Sequence, residues 1–364
     1  MPWTTPGIAS SRRRRSGGYR LVAGAARAAA PSGSAAFEQS IGFATSDDGA
    51  RLAYAVSGAG PVLVRAPHWM THLEWDWRSL VYGPWIQGLS RRFRLVRYAG
   101  RNWGLAERSA DLGTDPLAAR ETLPRHRVQP ALLRQEPWVT GGPKIGVPSQ
   151  SEDLTAFIRR LGVGPAHLVG WSSGGTVVIQ VALAHPELVK SAFVYEPPLA
   201  DAVTDEADRR TVADDRAAAF GPAVQALRAG DQAGALKAVL DAVEDRSDVL
   251  EAWPPSRQAI AMDNARTLPL EFFDSDPAPA IGCAQLARAR PPMAVARGSS
   301  TRVSYRLMAD AAATCIGARR HVVVHDARHL WRADDLEAFS EEVLRFLRRE
   351  DPGKPTWMGA RRFP

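Results

Sequence analysis

A serine hydroxyl is a weak nucleophile until a base takes its proton and the backbone holds it within reach. Ser172 stands where the second condition can be met: it is the centre of Gly170-Trp171-Ser172-Ser173-Gly174, followed by Gly175. In a G-x-S-x-G turn between a strand and a helix the serine occupies a strained tip, and the positions two before and two after it must be small for the two elements to approach. Both are glycine here, whereas neighbouring Ser173 lacks glycines on both sides at that spacing, Trp171 standing two before it. The string alone is a weak signal, because short motifs recur by chance. Its context strengthens it: His167-Leu168-Val169 reads as a buried strand leading into the turn, and Thr176 to His185 as an apolar helix leading out.

The elements around this turn alternate strand and helix. Ile41 to Thr45 and Arg51 to Val56, joined by Asp47-Asp48-Gly49, read as a hairpin; Val62 to Arg65 and Arg94 to Tyr98 read as short apolar strands. Between Trp103 and Gln150 the periodicity is lost among six prolines, so about 103–150 is expected to be an irregular insertion. Ser149 with Glu152 has the spacing of a capping box, Leu154, Phe157, Ile158 and Leu161 recur at helical intervals, and Gly162 supplies a stop. Ser191 to Tyr195, Met293 to Ala296 and His321 to Val324 are further strands, with a helix around Tyr305 to Cys315 and a last one from about Asp335 to Leu347. This order predicts a mostly parallel, doubly wound sheet with helices on both faces. Residues 200–282 carry alanine-rich helical stretches, 223–228, 233–243 and 256–266, and no convincing strand, which predicts an inserted helical lid. The core is thus expected at 37–199 and 283–348.

Charge narrows the partners. The formal charge is +7, but residues 1–36 hold six arginines and no acid, and 351–364 add a net +2, so the body is close to −1. A near-neutral body offers no basic surface for nucleic acid, and no apolar run approaches the roughly 18 to 20 residues that span a bilayer. A soluble, cytoplasmic protein is expected, with a basic, disordered head over 1–36 and a flexible tail over 349–364. Arg12 to Arg15 followed by Leu21-Val22-Ala23 resembles a twin-arginine export signal, yet Arg20 and Arg27 interrupt its apolar stretch. Cys283 and Cys315 are too few and too far apart in sequence for a disulfide scaffold or metal knuckle and are read as buried apolar fillers.

From about Ile41 to Leu347, outside the insertion, the chain resembles the α/β-hydrolase fold family, which implies an eight-stranded sheet with a lid inserted after the sixth strand. The family places its histidine in the loop before the final helix, and His329, in Val324-His325-Asp326-Ala327-Arg328-His329-Leu330, matches; His325 lies at the strand end and suits less. The usual acid position, after Met293 to Ala296, reads Arg297-Gly298-Ser299-Ser300-Thr301-Arg302 and holds no carboxylate. Some members place the acid one strand earlier, where Glu196 precedes Pro197-Pro198; Asp310 and Asp326 are weaker rivals. The resemblance implies an oxyanion hole from the N–H of Ser173 and one after the third strand, assigned to Met70. There His68 is similar to the family histidine, while Trp69 departs from its glycine; His68, Trp69 and Trp171 are expected to line the substrate pocket, and Trp75 and Trp77 to wall it. Tyr98-Ala99-Gly100-Arg101-Asn102-Trp103-Gly104 is similar to the family's Asp-x-Arg-Gly-x-Gly but lacks the aspartate and one glycine, a departure expected to disturb local packing.

The implied activity is hydrolysis of a carboxylic ester, lactone or related acyl bond of a small molecule through an acyl-serine, with no metal or cofactor. The segment His68 to Trp77 also resembles hydrolase modules fused to transcription regulators, so a non-catalytic small-molecule sensor is a second class, and perhydrolysis of the haloperoxidase type a third. Nothing in the sequence sets the oligomeric state.

Overall fold

A computed structural model describes residues 38–67, 70–79, 82–106, 144–273, 278–330 and 333–350. Eight strands form one sheet in the order β1-β2-β4-β3-β5-β6-β7-β8. β1 (Gln39–Thr45) and β2 (Arg51–Ser57) pair antiparallel in the register Gln39 opposite Ser57, and β2 pairs antiparallel with β4 (Arg94–Tyr98). From β4 onward through β3 (Val62–Arg65), β5 (Ala166–Trp171), β6 (Val189–Tyr195), β7 (Met293–Gly298) and β8 (Arg320–Val324) every pairing is parallel.

Side chains alternate across a strand, and here both alternations are apolar. Val64, Val96, Leu168, Val194 and Val295 face one layer with α3 (Val147–Leu161), α4 (Ser173–Ala184) and α10 (Val303–Ile316). Their neighbours Leu63, Leu95, Val169, Phe193 and Ala294 face the other, with α2 (Tyr82–Ser90) and α11 (Ala333–Glu350). Such two-faced burial is what a parallel sheet requires, and each large side chain so buried stabilises by about 1.5–3 kcal/mol. This is the expected doubly wound α/β architecture.

Between β6 and β7 the described residues are helical: α5 (Glu206–Ala229), α6 (Gln232–Glu244), α7 (Pro255–Ala265) and α8 (Leu268–Phe273). Asp205 and Asp231 accept the N–H groups of Asp208 and Gly234 as N-caps of α5 and α6. The apolar faces of these helices form a cluster that also takes in Met70, Tyr305, Met308 and Leu330 from the sheet domain. The insertion therefore packs against α10 and against the segments that carry Met70 and Leu330.

Four expectations are corrected. α3 starts at Val147 with Gly146 as an uncapped N-cap, so Ser149 and Glu152 form no capping box; Pro148 in the first turn pre-sets the helical φ and starts the helix earlier. The expected irregular stretch shrinks accordingly, since Trp103 and Ala106 are also buried; 107–143 lies outside the described residues. Cys283 and Cys315 are half-buried and joined in a disulfide with Cα atoms 5.0 Å apart, fastening α9 (Cys283–Leu286), where the chain re-enters the core, to the end of α10. Their separation of 32 residues says nothing about their proximity in space. The altered β4 exit packs well: Asn102 takes φ 66°, a region asparagine tolerates better than most non-glycine residues, and Arg101 bridges Asp48 at 2.5 Å and Asp153 at 2.7 Å. Trp103 Nε1 donates to Thr267 Oγ1 at 3.2 Å, and Gly104 N–H to Asn264 Oδ1 at 3.3 Å, seating the exit against the helical insertion. No helix among the described residues is long and apolar enough to cross a membrane.

Candidate active site

Ser172 occupies the joint between β5 and α4 with φ 54° and ψ −132°. A non-glycine residue in that region stores about 1–3 kcal/mol of strain and persists only where its surroundings over-determine it. Here its N–H donates to Tyr195 O at 2.9 Å and its carbonyl accepts from Gly175 N–H at 2.8 Å. The flanking glycines are required by space: a Cβ at Gly170 would lie 2.4 Å from Gly174 O, and one at Gly174 would lie 2.5 Å from Pro67 O. The same closeness brings the exit of β3 against the turn. Ser172 and Ser173 are both half-buried, so the hydroxyl is within solvent's reach. Ser173 opens α4, where an N–H has no acceptor four residues back within the helix.

Glu196 follows β6 directly, is fully buried and has φ 44°. Its carboxylate is fully engaged: Oε1 accepts Gly298 N–H at 2.8 Å, Oε2 accepts the Thr301 hydroxyl at 2.9 Å, and Oε2 lies 2.7 Å from Nδ1 of His329. A carboxylate at Nδ1 fixes the neutral ring as the tautomer protonated there, leaving the Nε2 lone pair as the acceptor. His329 is 2% exposed and lies flat on Tyr305, ring centroids 4.0 Å apart and planes 11° apart. The loop carrying it is pinned by Tyr195, whose hydroxyl donates to Arg328 O at 2.6 Å, and by Ser300 N–H to Ala327 O at 3.1 Å. Tyr195 thus holds Ser172 through its carbonyl and the His329 loop through its phenol. Burial raises the Tyr305 hydroxyl well above its ordinary range, so that ring serves as an apolar platform.

The rival acids are committed elsewhere. Asp310 pairs with Arg297 at 2.5 Å and with His321 at 2.9 Å, and Asp326 pairs with His325 at 3.1 Å on the exposed side of its loop. The loop after β7 contributes donors to Glu196 in place of a carboxylate. Gly298, Thr301, Tyr195 and Tyr305 belong to the site, and sequence reasoning passed over them. The one available signal was that a loop without acids sat where an acid was expected.

The other expected residues divide. His68 and Trp69 lie outside the described residues. Met70 is buried and belongs to the cluster that joins Leu330 to the helical insertion. Trp171, expected at the pocket, points the other way: on β5 it shares the side of Val169, and it packs against Tyr82 and Phe339 with the Arg65 guanidinium 5.3 Å from its ring. Trp77 packs against that same inner layer. Trp75 is 41% exposed and, with Met70, Tyr82, Trp253 and Arg257, lines a cavity of about 230 Å³ between α1 (Leu73–Arg78), α2 and α7. Arg257 stacks on Trp253 at 3.7 Å and donates to the Tyr82 hydroxyl at 3.2 Å. Among the described residues no group of three or more His, Cys, Asp or Glu side chains is arranged to hold a metal.

A family model described as the alpha/beta hydrolase fold matches residues 75–251, a span that contains Ser172 and Glu196. The structure resembles the enol-lactonase from Burkholderia xenovorans LB400, with a TM-score of 0.57 and 18% identity over 84% of this chain and 99% of that one. It also resembles an esterase from Rhodococcus sp. ECU1013, at TM-score 0.56 and 19% identity over 84% and 98% of the two chains. A third similar structure is naproxen esterase from Bacillus subtilis, at TM-score 0.54 and 16% identity over 86% and 92%. With the strand order, the turn at Ser172 and the match over residues 75–251 in agreement, the chain has the α/β-hydrolase fold.

Proposed function

We propose that this protein is a serine hydrolase that cleaves a carboxylic ester, lactone or similar acyl bond of a small molecule through an acyl-serine. The observation that carries the reading is the buried contact of 2.7 Å between Glu196 Oε2 and His329 Nδ1, made by a carboxylate that two further donors hold in place. A buried, fully bonded carboxylate on one ring nitrogen is the arrangement that readies the other nitrogen to act as a base. Similarity in fold to a lactonase and two esterases supports the same class of chemistry.

In this reading Ser172 Oγ attacks the acyl carbon as His329 Nε2 removes its proton. Glu196 stabilises the imidazolium that results. The oxyanion receives the N–H groups of Ser173 and Met70, each donor of this kind being worth about 2.7–4 kcal/mol. The tetrahedral intermediate collapses when the imidazolium returns the proton to the leaving oxygen, and water repeats the sequence to release the acid. The helical insertion acts as a lid over this site, and Met70, whose N–H is assigned to the oxyanion, also lines a cavity with Trp75, Tyr82 and Trp253 that would suit an apolar or aromatic group on the substrate.

A fluorophosphonate probe tests the nucleophile without knowledge of the substrate. The wild type is expected to gain one adduct, mapped by peptide mass to Ser172, and Ser172→Ala to gain none while keeping its circular dichroism. p-Nitrophenyl esters of graded chain length then define the acyl preference. An unlabelled wild type, or a Ser172→Ala protein that still turns over these esters, refutes the reading.

A further inference from the structure

The helical insertion reaches the base itself. α6 ends at Glu244, which is 5% exposed. Its side-chain Oε1 accepts the N–H of Leu330 at 2.5 Å, and its main-chain carbonyl accepts Arg328 Nη1 at 2.9 Å. A single residue of the insertion therefore grips the chain on both sides of His329. The same helix end is held down by Arg302, whose Nε donates to Ala242 O at 3.1 Å and whose Nη2 meets Asp245 at 2.7 Å.

Glu244 is unusual for a residue whose only task is to close a helix on a loop. A buried carboxylate is expensive in free energy unless it is well paired. Its strongest contact is a neutral backbone donor. Burial pushes its carboxyl above the usual range, against the opposing pull of the Leu330 N–H, His329, Arg246 and Arg328. An apolar side chain there would spare the desolvation. What the carboxylate offers and an apolar group cannot is an acceptor and a negative charge beside the imidazole.

We propose that Glu244 is a positioning residue for His329, supplied by the insertion: its hydrogen bond to Leu330 fixes the backbone that carries the ring, and its charge favours the imidazolium. This rests on the reading of His329 as the base. Glu196 fixes the tautomer through Nδ1, Tyr305 fixes the plane of the ring, and Glu244 fixes the loop. The charged or titratable groups around the pair are Glu196 from the β6 exit, Tyr305 from α10, Arg328 and Arg246 from the two gripped segments, and Arg302 with Asp245 at the end of α6. Closure of the insertion and readiness of the base become one event, because opening α6 away from the loop removes the bond to Leu330.

Two variants separate the two effects. Glu244→Gln keeps an acceptor for Leu330 and removes the charge; Glu244→Ala removes both. Turnover of p-nitrophenyl acetate by Glu244→Gln is expected to lose roughly tenfold in kcat with KM nearly unchanged, and its acid limb to move to lower pH by roughly one unit, the size of one nearby buried charge. Glu244→Ala is expected to lose roughly a further tenfold. A merely structural role would lower thermal stability and kcat together and leave the limb in place, which would overturn the proposal. The ring signals of His329, identified with a His329→Asn variant, give a readout free of turnover: their NMR titration midpoint is expected to move the same way in Glu244→Gln. Midpoints that coincide with wild type refute the role of Glu244, whereas failure of fluorophosphonate labelling refutes the hydrolase reading alone.

Discussion

Glu196→Gln tests the core of the site, because the neighbours of the carboxylate dictate which way the amide must turn. Glu196 Oε1 faces the fixed N–H of Gly298 at 2.8 Å, whereas Oε2 faces the rotatable hydroxyl of Thr301 at 2.9 Å and the imidazole at 2.7 Å. If the amide oxygen takes the Gly298 side, the amide NH2 meets His329 Nδ1 and Thr301 turns to accept. The ring must then carry its proton on Nε2, the nitrogen that has to accept the serine proton. If the amide takes the opposite orientation, its NH2 confronts Gly298 N–H and leaves a buried donor unsatisfied, at about 1–3 kcal/mol. The inactive tautomer is therefore favoured by about 5- to 150-fold at 1.36 kcal/mol per decade. Loss of the negative charge that stabilises the imidazolium adds to this, so kcat is expected to fall by roughly 10²- to 10⁴-fold, the upper end matching a carboxylate-to-amide change in a serine protease. The variant is isosteric, so KM and thermal unfolding are expected to change little. Steady-state turnover of a p-nitrophenyl ester, normalised to protein that passes a folding check by near-ultraviolet circular dichroism, gives the ratio. A loss below tenfold would mean that His329 does not depend on Glu196.

Two further predictions concern the frame of the site. Cys283→Ser is expected to reduce stability by up to about 3–4 kcal/mol, from the chain entropy of a loop of this length; an unchanged denaturation midpoint under oxidising conditions would refute a structural role for the bond. Since such bonds persist mainly in oxidising compartments, protein made in a reducing cytosol is expected to show two free thiols and that lower midpoint. Arg101→Met is expected to destabilise by about 3–5 kcal/mol, because it leaves Asp153, 1% exposed, buried without its partner. The pH dependence follows from Asp48: burial, the largest single influence, raises its carboxyl, but the hydrogen bond and charge of Arg101, with the Ser46 hydroxyl and the Ala50 N–H, together outweigh it and hold it at about 2. A folded value below the unfolded one means that the contribution is present above about pH 4 and is lost as the pH falls toward 2. Urea midpoints between pH 2 and 5 should therefore drop less steeply in Arg101→Met than in wild type.

The fold was legible because its signals are local and repeated. Leu63 and Val64, or Phe193 and Val194, are adjacent apolar residues that serve opposite faces, and only a sheet covered on both sides has use for such pairs. The turn at Ser172 was legible for a related reason, since clearance at Gly170 and Gly174 leaves no freedom of residue type. Helix limits were less legible: a helical stretch is read over 223–228, yet α5 runs from Glu206 through Pro222 to Ala229, held by packing against the rest of the insertion. What the sequence hid is whatever depends on distance in space. The disulfide joins residues 32 apart, Trp171 turned inward because the strand register set its face, and Glu244 meets Leu330 across 86 residues. No spacing rule connects these pairs.

The absence of a carboxylate after β7 also has a structural reading. Gly298 N–H, at the end of β7, and the Thr301 hydroxyl, from the loop that follows, point at Glu196, so the position that would present an acid presents donors to one instead. Moving the acid to the exit of β6 makes it continuous with the helical insertion, which begins just beyond Pro197 and Pro198. The insertion returns to the same segment at Glu244, the end of its second helix, which bonds the residues on either side of His329. The stretch from 196 to 244 is thereby tied to the His329 segment at both ends, through the ring at one and the backbone at the other. On the proposed mechanism, a change in how these helices pack reaches His329 through both of these ties. That is a tighter coupling than an acid on the β7 loop could provide, since such an acid would be joined to α10 and not to the insertion.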